Sequence, residues 1–113
     1  MAKARAAIKA AKRAVHPRAC DYSRTFTKDW ERLSGTGRYD MKRLKQVMLL
    51  LVANDAPLDA QWKDHPLKGE WAGHRDCHVG GDFLLIYKVD EATGKGGTIG
   101  FVRAGTHSDL FRE

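Results

Sequence analysis

Residues 75–89 read RDCHVGGDFLLIYKV, a stretch that contains two β-strands and the turn between them. Gly80 and Gly81 stand where a tight two-residue hairpin turn is expected, and residues 75–79 before them favour a strand. The residues that follow, 82–89, are almost continuously apolar. A strand of this kind is buried on both faces, so we expect it in the middle of a sheet.

The segments on either side of this hairpin predict a third strand and an irregular connection. Residues 98–103 alternate in polarity, which predicts a strand, and residues 105–111 form a short closing segment. Upstream, residues 56–74 hold two prolines and two glycines and have no sustained period. We expect this segment to be an irregular surface connection, where functional residues are often found.

The first of two predicted helices begins at Ser23 or Thr25 and ends at the glycine pair Gly35 and Gly37. Its apolar residues recur at helical spacing and form one face that consists of Phe26, Trp30 and Leu33. This spacing is typical of a short helix that packs one side against a core.

The second predicted helix begins at about Asp40, a candidate N-cap, and ends near Asn54 and Pro57. Its apolar stripe consists of Met41, Leu44, Val47, Met48, Leu51 and Val52. Such a stripe is far more often packed on a sheet than used as a binding groove. The chain therefore predicts an α+β fold: two N-terminal helices packed on a small antiparallel β-sheet, with residues 20–22 as a candidate edge strand.

The chain divides into a basic N-terminal arm, residues 1–19, and a single domain, residues 20–113. The arm is built mainly from alanine, lysine and arginine, and a short isolated helix of that composition is marginal in water. We therefore expect the arm to be frayed or disordered. It is either a solvated extension or an electrostatic tether to ribosomal or messenger RNA.

Composition narrows the classes of function. The chain has 113 residues, of which 42% are hydrophobic and 30% charged, as in an ordinary globular domain. Its net charge of +6 favours nucleic acid or an acidic protein as a partner. Its two cysteines form no paired motif, and there is neither a signal peptide nor a long apolar stretch. We expect a cytoplasmic protein that does not bind membranes.

Several residues in the strand-rich half could carry chemistry. His78 and Asp82 flank the glycine turn, where we expect their side chains to be within reach of each other. Arg75 and Arg103 belong to neighbouring predicted strands and could hold an RNA phosphate, although structural ion pairs would explain them equally well. Phe111 is either a stacking platform for a splayed base or an apolar plug.

RNA can be cut without a metal ion or other cofactor when its own 2′-hydroxyl attacks the adjacent phosphorus. One group must accept a proton from that hydroxyl and another must donate one to the leaving oxygen. Imidazoles suit both roles near neutral pH, and four of the five histidines lie in this half of the chain: His65, His74, His78 and His107. Each histidine alone is more commonly a surface or core residue.

Two segments carry a family signature: KDHPLKGEWAGHRDCHVGGDFLLIYK, residues 63–88, and RAGTHSDLF, residues 103–111. Together they resemble the YafQ branch of the RelE-type toxins of type II toxin–antitoxin systems. The resemblance spans roughly residues 22–111 and includes both helices. It implies a RelE-like fold, a metal-independent endoribonuclease that cuts messenger RNA on the ribosome and inhibits translation, and a cognate antitoxin as partner.

The resemblance also implies an active centre, which consists of His65, His78, Asp82, His107 and Phe111. By this resemblance His107 protonates the leaving group or holds the scissile phosphate, and the other polar residues orient the RNA and share the role of base. The chain departs from the family at Phe83, where tryptophan is common, in the arm, and in the loop at residues 94–97.

Two other functions remain open at the level of sequence. The first is a metal-dependent hydrolase with His65, His78, Asp82 and His107 as ligands, although their spacing matches no standard motif. The second is a non-catalytic basic module that binds RNA or the ribosome, in which the histidines are incidental.

Overall fold

The computed structural model describes residues 18–53, 55–91 and 97–111. Within them, five strands and three helices follow one another as β1 (Ala19–Tyr22), α1 (Arg24–Thr36), α2 (Met41–Ala53), β2 (His65–Pro66), β3 (Arg75–Gly80), β4 (Phe83–Asp90), β5 (Thr98–Gly105) and α3 (His107–Leu110). No helix in these ranges is long and apolar enough to cross a membrane. The predicted disorder of residues 1–17, the helix stop at Asn54 and loop residues 94–96 fall outside the described ranges.

The five strands form one sheet in the order β1-β5-β4-β3-β2. The predicted α+β class is confirmed, but the sheet is mixed rather than purely antiparallel, because β1 pairs in parallel with β5. A parallel pair needs a long crossover, which the intervening helices and hairpin supply. The Ser23 amide continues this contact by donating to the Phe101 carbonyl at 3.0 Å.

Local signals set the helix ends where the sequence predicts them. Ser23 caps α1 through its side chain, which accepts from the Phe26 amide, and Gly37 ends the helix with a left-handed φ of 69°. Asp40 opens α2 by accepting from the Arg43 amide at 3.0 Å. Both predicted helices are therefore confirmed.

The two faces of the sheet carry separate apolar clusters. On one face, α1 and α2 pack on residues of β3, β4 and β5 to form the main core, which includes Phe26, Leu33, Leu44, Val47, Leu51, Cys77, Val79, Leu85, Tyr87, Ile99, Phe101 and Ala104. On the other face, a smaller cluster of Leu84, Ile86 and Leu110 is covered by Leu67, Trp71, Val102 and Phe111. Strand β4 contributes to both clusters, which confirms that its apolar run marks a central strand.

Two details of the strand half differ from the prediction. The hairpin turn lies at residues 81–82, one residue later than predicted, because Gly80 pairs with Phe83 after a register shift beyond His78. The connection at residues 56–74 is not wholly irregular: its two-residue strand β2 pairs His65 with Asp76 of β3. A strand of two residues is too short to show a period in the sequence.

Candidate active site

The rings of three histidines and of Phe111 form a row on the face of the sheet that carries the smaller apolar cluster. The ring centroids of His65 and His78 are 6.1 Å apart, those of His78 and His107 are 6.0 Å apart, and those of His107 and Phe111 are 6.0 Å apart. Asp82 contacts His107. The structure thus brings together all five residues of the predicted active centre.

Three structural elements position the histidines. His78 lies on β3 between Cys77 and Val79, and because strand residues alternate it faces away from the main core that these neighbours join. His65 comes from β2, where its Nδ1 lies 2.8 Å from the Lys63 carbonyl. His107 is the first residue of α3, directly after the helix cap Thr106.

Asp82 anchors His107 through two contacts. One carboxylate oxygen accepts from the His107 backbone amide at 3.0 Å and also contacts Nδ1 of the ring. These hydrogen bonds hold the pKa of Asp82 below its usual value. A proton on Nδ1 that points at the carboxylate leaves Nε2 available for chemistry. The sequence predicts that Asp82 lies within reach of His78 across the hairpin. In the structure its hydrogen bonds go to His107 instead.

Asp76 is a further residue of the site that the sequence reasoning missed. It lies beneath the histidines with only 2% of its surface exposed, and its Oδ1 has no hydrogen-bond partner among the described residues. Nδ1 of His65 lies 3.6 Å from this oxygen. Burial raises the pKa of this carboxyl group. Strand alternation could have identified it, since residues 76 and 78 share a face of β3.

The same cluster could hold a metal ion. Potential ligand atoms of His65, Asp76 and His78 all lie within 4.8 Å of one another. This trio differs from the ligand set expected for a metal-dependent hydrolase, because it contains neither Asp82 nor His107. His74, the remaining histidine of the strand-rich half, lies outside this cluster. Its ring is edge-on to that of Trp71, with ring centroids 5.3 Å apart.

Both arginines proposed to bind RNA form ion pairs within the protein, and the prediction that they lie on neighbouring strands is wrong, because β4 separates β3 from β5. Arg75 donates to Asp64, with Nη2 to Oδ2 at 3.0 Å, and faces the side of the sheet opposite to His78. Arg103 donates to Asp29 of α1, with Nε to Oδ2 at 2.8 Å. These bonds raise the pKa of both guanidinium groups. The ion-pair interpretation therefore describes both residues, and contact with RNA stays a prediction.

Comparison with known proteins identifies close relatives. The family described as "Bacterial toxin of type II toxin-antitoxin system, YafQ" matches residues 18–112. The mRNA interferase toxin YafQ of Escherichia coli K12 is 44% identical over 91 residues, which cover 80% of this chain and 92% of the relative. The putative toxin YafQ of Haemophilus influenzae is 36% identical over 73 residues, or 64% and 72% of the two chains.

Solved structures agree with these sequence matches. The crystal structure of the Escherichia coli DinJ–YafQ complex superposes with a TM-score of 0.71 at 44% identity and covers 83% of this chain and 98% of that one. A metal-bound toxin from Helicobacter pylori superposes with a TM-score of 0.68 at 37% identity and covers 83% and 99%. The similarity thus extends over most of the chain.

Proposed function

Since this chain belongs to the YafQ family of toxins of bacterial type II toxin–antitoxin systems, we propose that it is an endoribonuclease that cuts messenger RNA on the ribosome. The observation that supports this proposal most directly is the pairing of an anchored histidine, His107, with a second group of ionisable side chains on the same face of the sheet. The relatives named mRNA interferase support the same class of reaction.

The reaction needs two proton transfers. The 2′-hydroxyl oxygen of the RNA attacks the adjacent phosphorus while its proton passes to a base, and the bond from phosphorus to the 5′-oxygen breaks. The leaving oxygen takes a proton from an acid, which yields a 2′,3′-cyclic phosphate and a 5′-hydroxyl. No step requires a metal ion, and we propose that the reaction proceeds without one.

His107 suits the role of acid. Asp82 contacts its Nδ1, so the carboxylate holds the ring in one orientation and leaves Nε2 for the substrate. A protonated Nε2 can then donate to the leaving 5′-oxygen. Phe111, whose ring centroid is 6.0 Å from that of His107, offers a surface on which a neighbouring base can stack.

We assign the role of base to the group formed by His65, Asp76 and His78. The carboxyl group of Asp76 binds a proton more tightly than an exposed one, because burial disfavours its charge. The two imidazoles adjoin it and can also stabilise the charge that gathers on the phosphate.

We further propose that the chain is neutralised in the cytoplasm by an antitoxin. The Escherichia coli relative has been solved in complex with DinJ. The net charge of +6 favours an antitoxin segment that is acidic, since opposite charges speed association.

A translating extract tests this function. Messenger 5′ ends are mapped by primer extension with wild type, His107→Ala and the exposed neighbour Ser108→Ala, in a chelator that removes transition metals but leaves the Mg²⁺ that ribosomes need. We expect discrete cuts within translated codons with wild type and Ser108→Ala, none with His107→Ala, and none on naked RNA. Arrested translation with intact messenger would instead indicate the non-catalytic binding module, and cuts lost on chelation would indicate a metal-dependent hydrolase.

A further inference from the structure

A cavity of about 390 Å³ lies between the α1–α2 loop and the β3–β4 turn, and Asp82 forms part of its wall. We propose that it binds a nucleotide of the messenger RNA next to the scissile phosphate. This inference rests on the proposed nuclease function and adds a substrate subsite to it. Of the five residues expected at the active centre, Asp82 alone lines this cavity.

The cavity is continuous with the active site through two residues. Asp82 and Thr106 both line it. Asp82 is the residue that accepts from His107, and Thr106 caps the helix that begins at His107. We therefore expect an RNA strand whose leaving oxygen lies at His107 to place an adjacent nucleotide at this cavity.

An ordered aromatic side chain forms part of the wall. The Tyr39 ring lies on that of Phe83, with ring centroids 5.1 Å apart and planes inclined by 55°. Phe83 is 5% exposed and thus fixed in the core, whereas Tyr39 keeps part of its surface in the open. An aromatic ring held in this way stacks on a single-stranded base at little cost in conformational entropy.

Two arginines of the wall offer guanidinium groups that can bind a phosphate. Arg38 is exposed and forms no ion pair within the described part of the chain, so its guanidinium group is available to an anion. Arg43 donates to the Val79 carbonyl and lies 4.2 Å above the Trp62 ring, which fixes a second positive charge in the wall. A base stacked on an aromatic ring beside an arginine-bound phosphate is a common mode of binding single-stranded RNA.

The acidic residues of the wall are already engaged. Asp82 contacts His107, and Asp40 accepts from the amide of Arg43 at the start of α2. The volume also lies within the range of about 300–1,000 Å³ that is typical of pockets for small ligands. At Gly80, an added Cβ would meet no atom within 4 Å, so the wall is open at the turn.

The first experiment measures cleavage on ribosomes with messengers that differ only in the nucleotide beside the cut. Arg38→Ala and Tyr39→Ala are compared with Lys42→Ala, a neighbouring exposed cation outside the cavity, and Tyr22→Ala, an exposed tyrosine on β1. We expect the cavity variants to raise KM about tenfold, with a smaller change in kcat, and Tyr39→Ala to lose discrimination at the varied nucleotide. Equal behaviour of cavity and control variants would overturn the proposal.

A binding cycle tests the stacking contact independently of catalysis. The probe is a ribosome-bound messenger with a 2′-O-methyl group at the scissile position, which blocks the attack, with or without an abasic residue beside it. Loss of the base should weaken binding to wild type about tenfold but leave binding to Tyr39→Ala almost unchanged. An equal loss with both proteins would overturn the subsite.

The two proposals fail in different ways. If wild type cuts no messenger while the binding cycle shows coupling, the nuclease function fails and the subsite stands. If wild type cuts messenger and the cycle shows no coupling, the subsite alone fails. If Arg38→Ala and Tyr39→Ala lose antitoxin binding but cut as well as Lys42→Ala, the cavity binds protein rather than RNA.

Discussion

At the scale of single residues, the pKa values of two carboxyl groups of the site are shifted in opposite directions. Asp82 is exposed and hydrogen-bonded to His107, and its pKa is lowered, whereas Asp76 is buried with an unpartnered oxygen, and its pKa is raised. Such a divergence is what separates the roles of acid and base in one active site. Asp82 can remain an anion beside the His107 ring, while Asp76 can exchange a proton at a higher pH.

The raised pKa of Asp76 predicts that this carboxyl group costs stability. A carboxyl group with a raised folded pKa is favourable while protonated, and that contribution is lost as pH rises from its unfolded pKa through its folded pKa. We expect Asp76→Asn to unfold about 4 °C higher at pH 7.5, equivalent to about 1 kcal/mol, and to cut messenger at least 100-fold more slowly.

Thermal unfolding followed by circular dichroism at several pH values checks this. The advantage of Asp76→Asn should shrink as pH falls below the unfolded pKa of the carboxyl group, where wild type is protonated as well. Asp59→Asn, an exposed aspartate outside the site, is the control. A variant less stable than wild type at pH 7.5 would contradict the interpretation.

Single residues also show how far the sequence alone leads. The five expected site residues come together as the family resemblance implies. They could be named from the sequence because all five lie within the two motif segments, residues 63–88 and 103–111. The role of Arg103 was left open, since its partner Asp29 lies 74 positions away and no local pattern joins them. Asp76 was missed because a lone aspartate in a strand gives no signal until its neighbours on the same face are known.

At the scale of elements, the corner between β5 and α3 is held from the opposite face of the sheet. Asp29 of α1 is 4% exposed and accepts from the Arg103 side chain, from the Ala104 amide at 3.1 Å, and from Arg32. Arg32 also donates to Asp109, whose side chain completes the capping box of α3. These contacts connect the first helix to the element that carries His107.

This arrangement predicts that Asp29 matters for both stability and catalysis. Asp29→Ala leaves the Arg103 guanidinium without its partner, and because that side chain is 25% exposed we expect a loss of about 2–3 kcal/mol rather than the larger cost of a fully buried pair. At a temperature where the variant is folded, cleavage should fall more in kcat than in KM, since His107 is displaced. Glu31→Ala, an exposed acid on the same helix, is the control in chemical denaturation and single-turnover assays. An unchanged kcat would show that the corner is held without Asp29.

Elements were predicted well where a period extends over several turns and poorly where it does not. The stripes and caps of α1 and α2 locate both helices, and the apolar run of β4 locates the central strand. The parallel direction of β1 was not foreseen, because four residues show a strand but not the neighbour with which it pairs.

At the scale of the whole molecule, charge is distributed unevenly along the chain. Residues 1–17 hold five of the 20 lysines and arginines and none of the 14 acidic residues, so residues 18–113 carry a net charge of only +1. Attraction to a polyanion that depends on net charge therefore resides largely in the arm.

Deletion of residues 1–17 should accordingly weaken binding to ribosomes and make it less sensitive to salt. If the five cations contact RNA phosphates, the slope of log affinity against log salt concentration should fall in magnitude by up to about 3.5. Binding titrations from 50 to about 250 mM salt measure this, and an arm of the same composition in scrambled order should restore the slope. An unchanged slope after deletion would favour a solvated extension.

The position of β5 between β1 and β4 also governs what an incomplete translation product can do. A chain that stops before Thr98 lacks the strand to which β1 is joined, and it also lacks His107. Interrupted synthesis before Thr98 therefore removes both the strand that joins β1 to β4 and the proposed acid. A toxin of this kind would itself create broken messengers. Fragments of the toxin translated from them are expected to lack nuclease activity, because they lack His107.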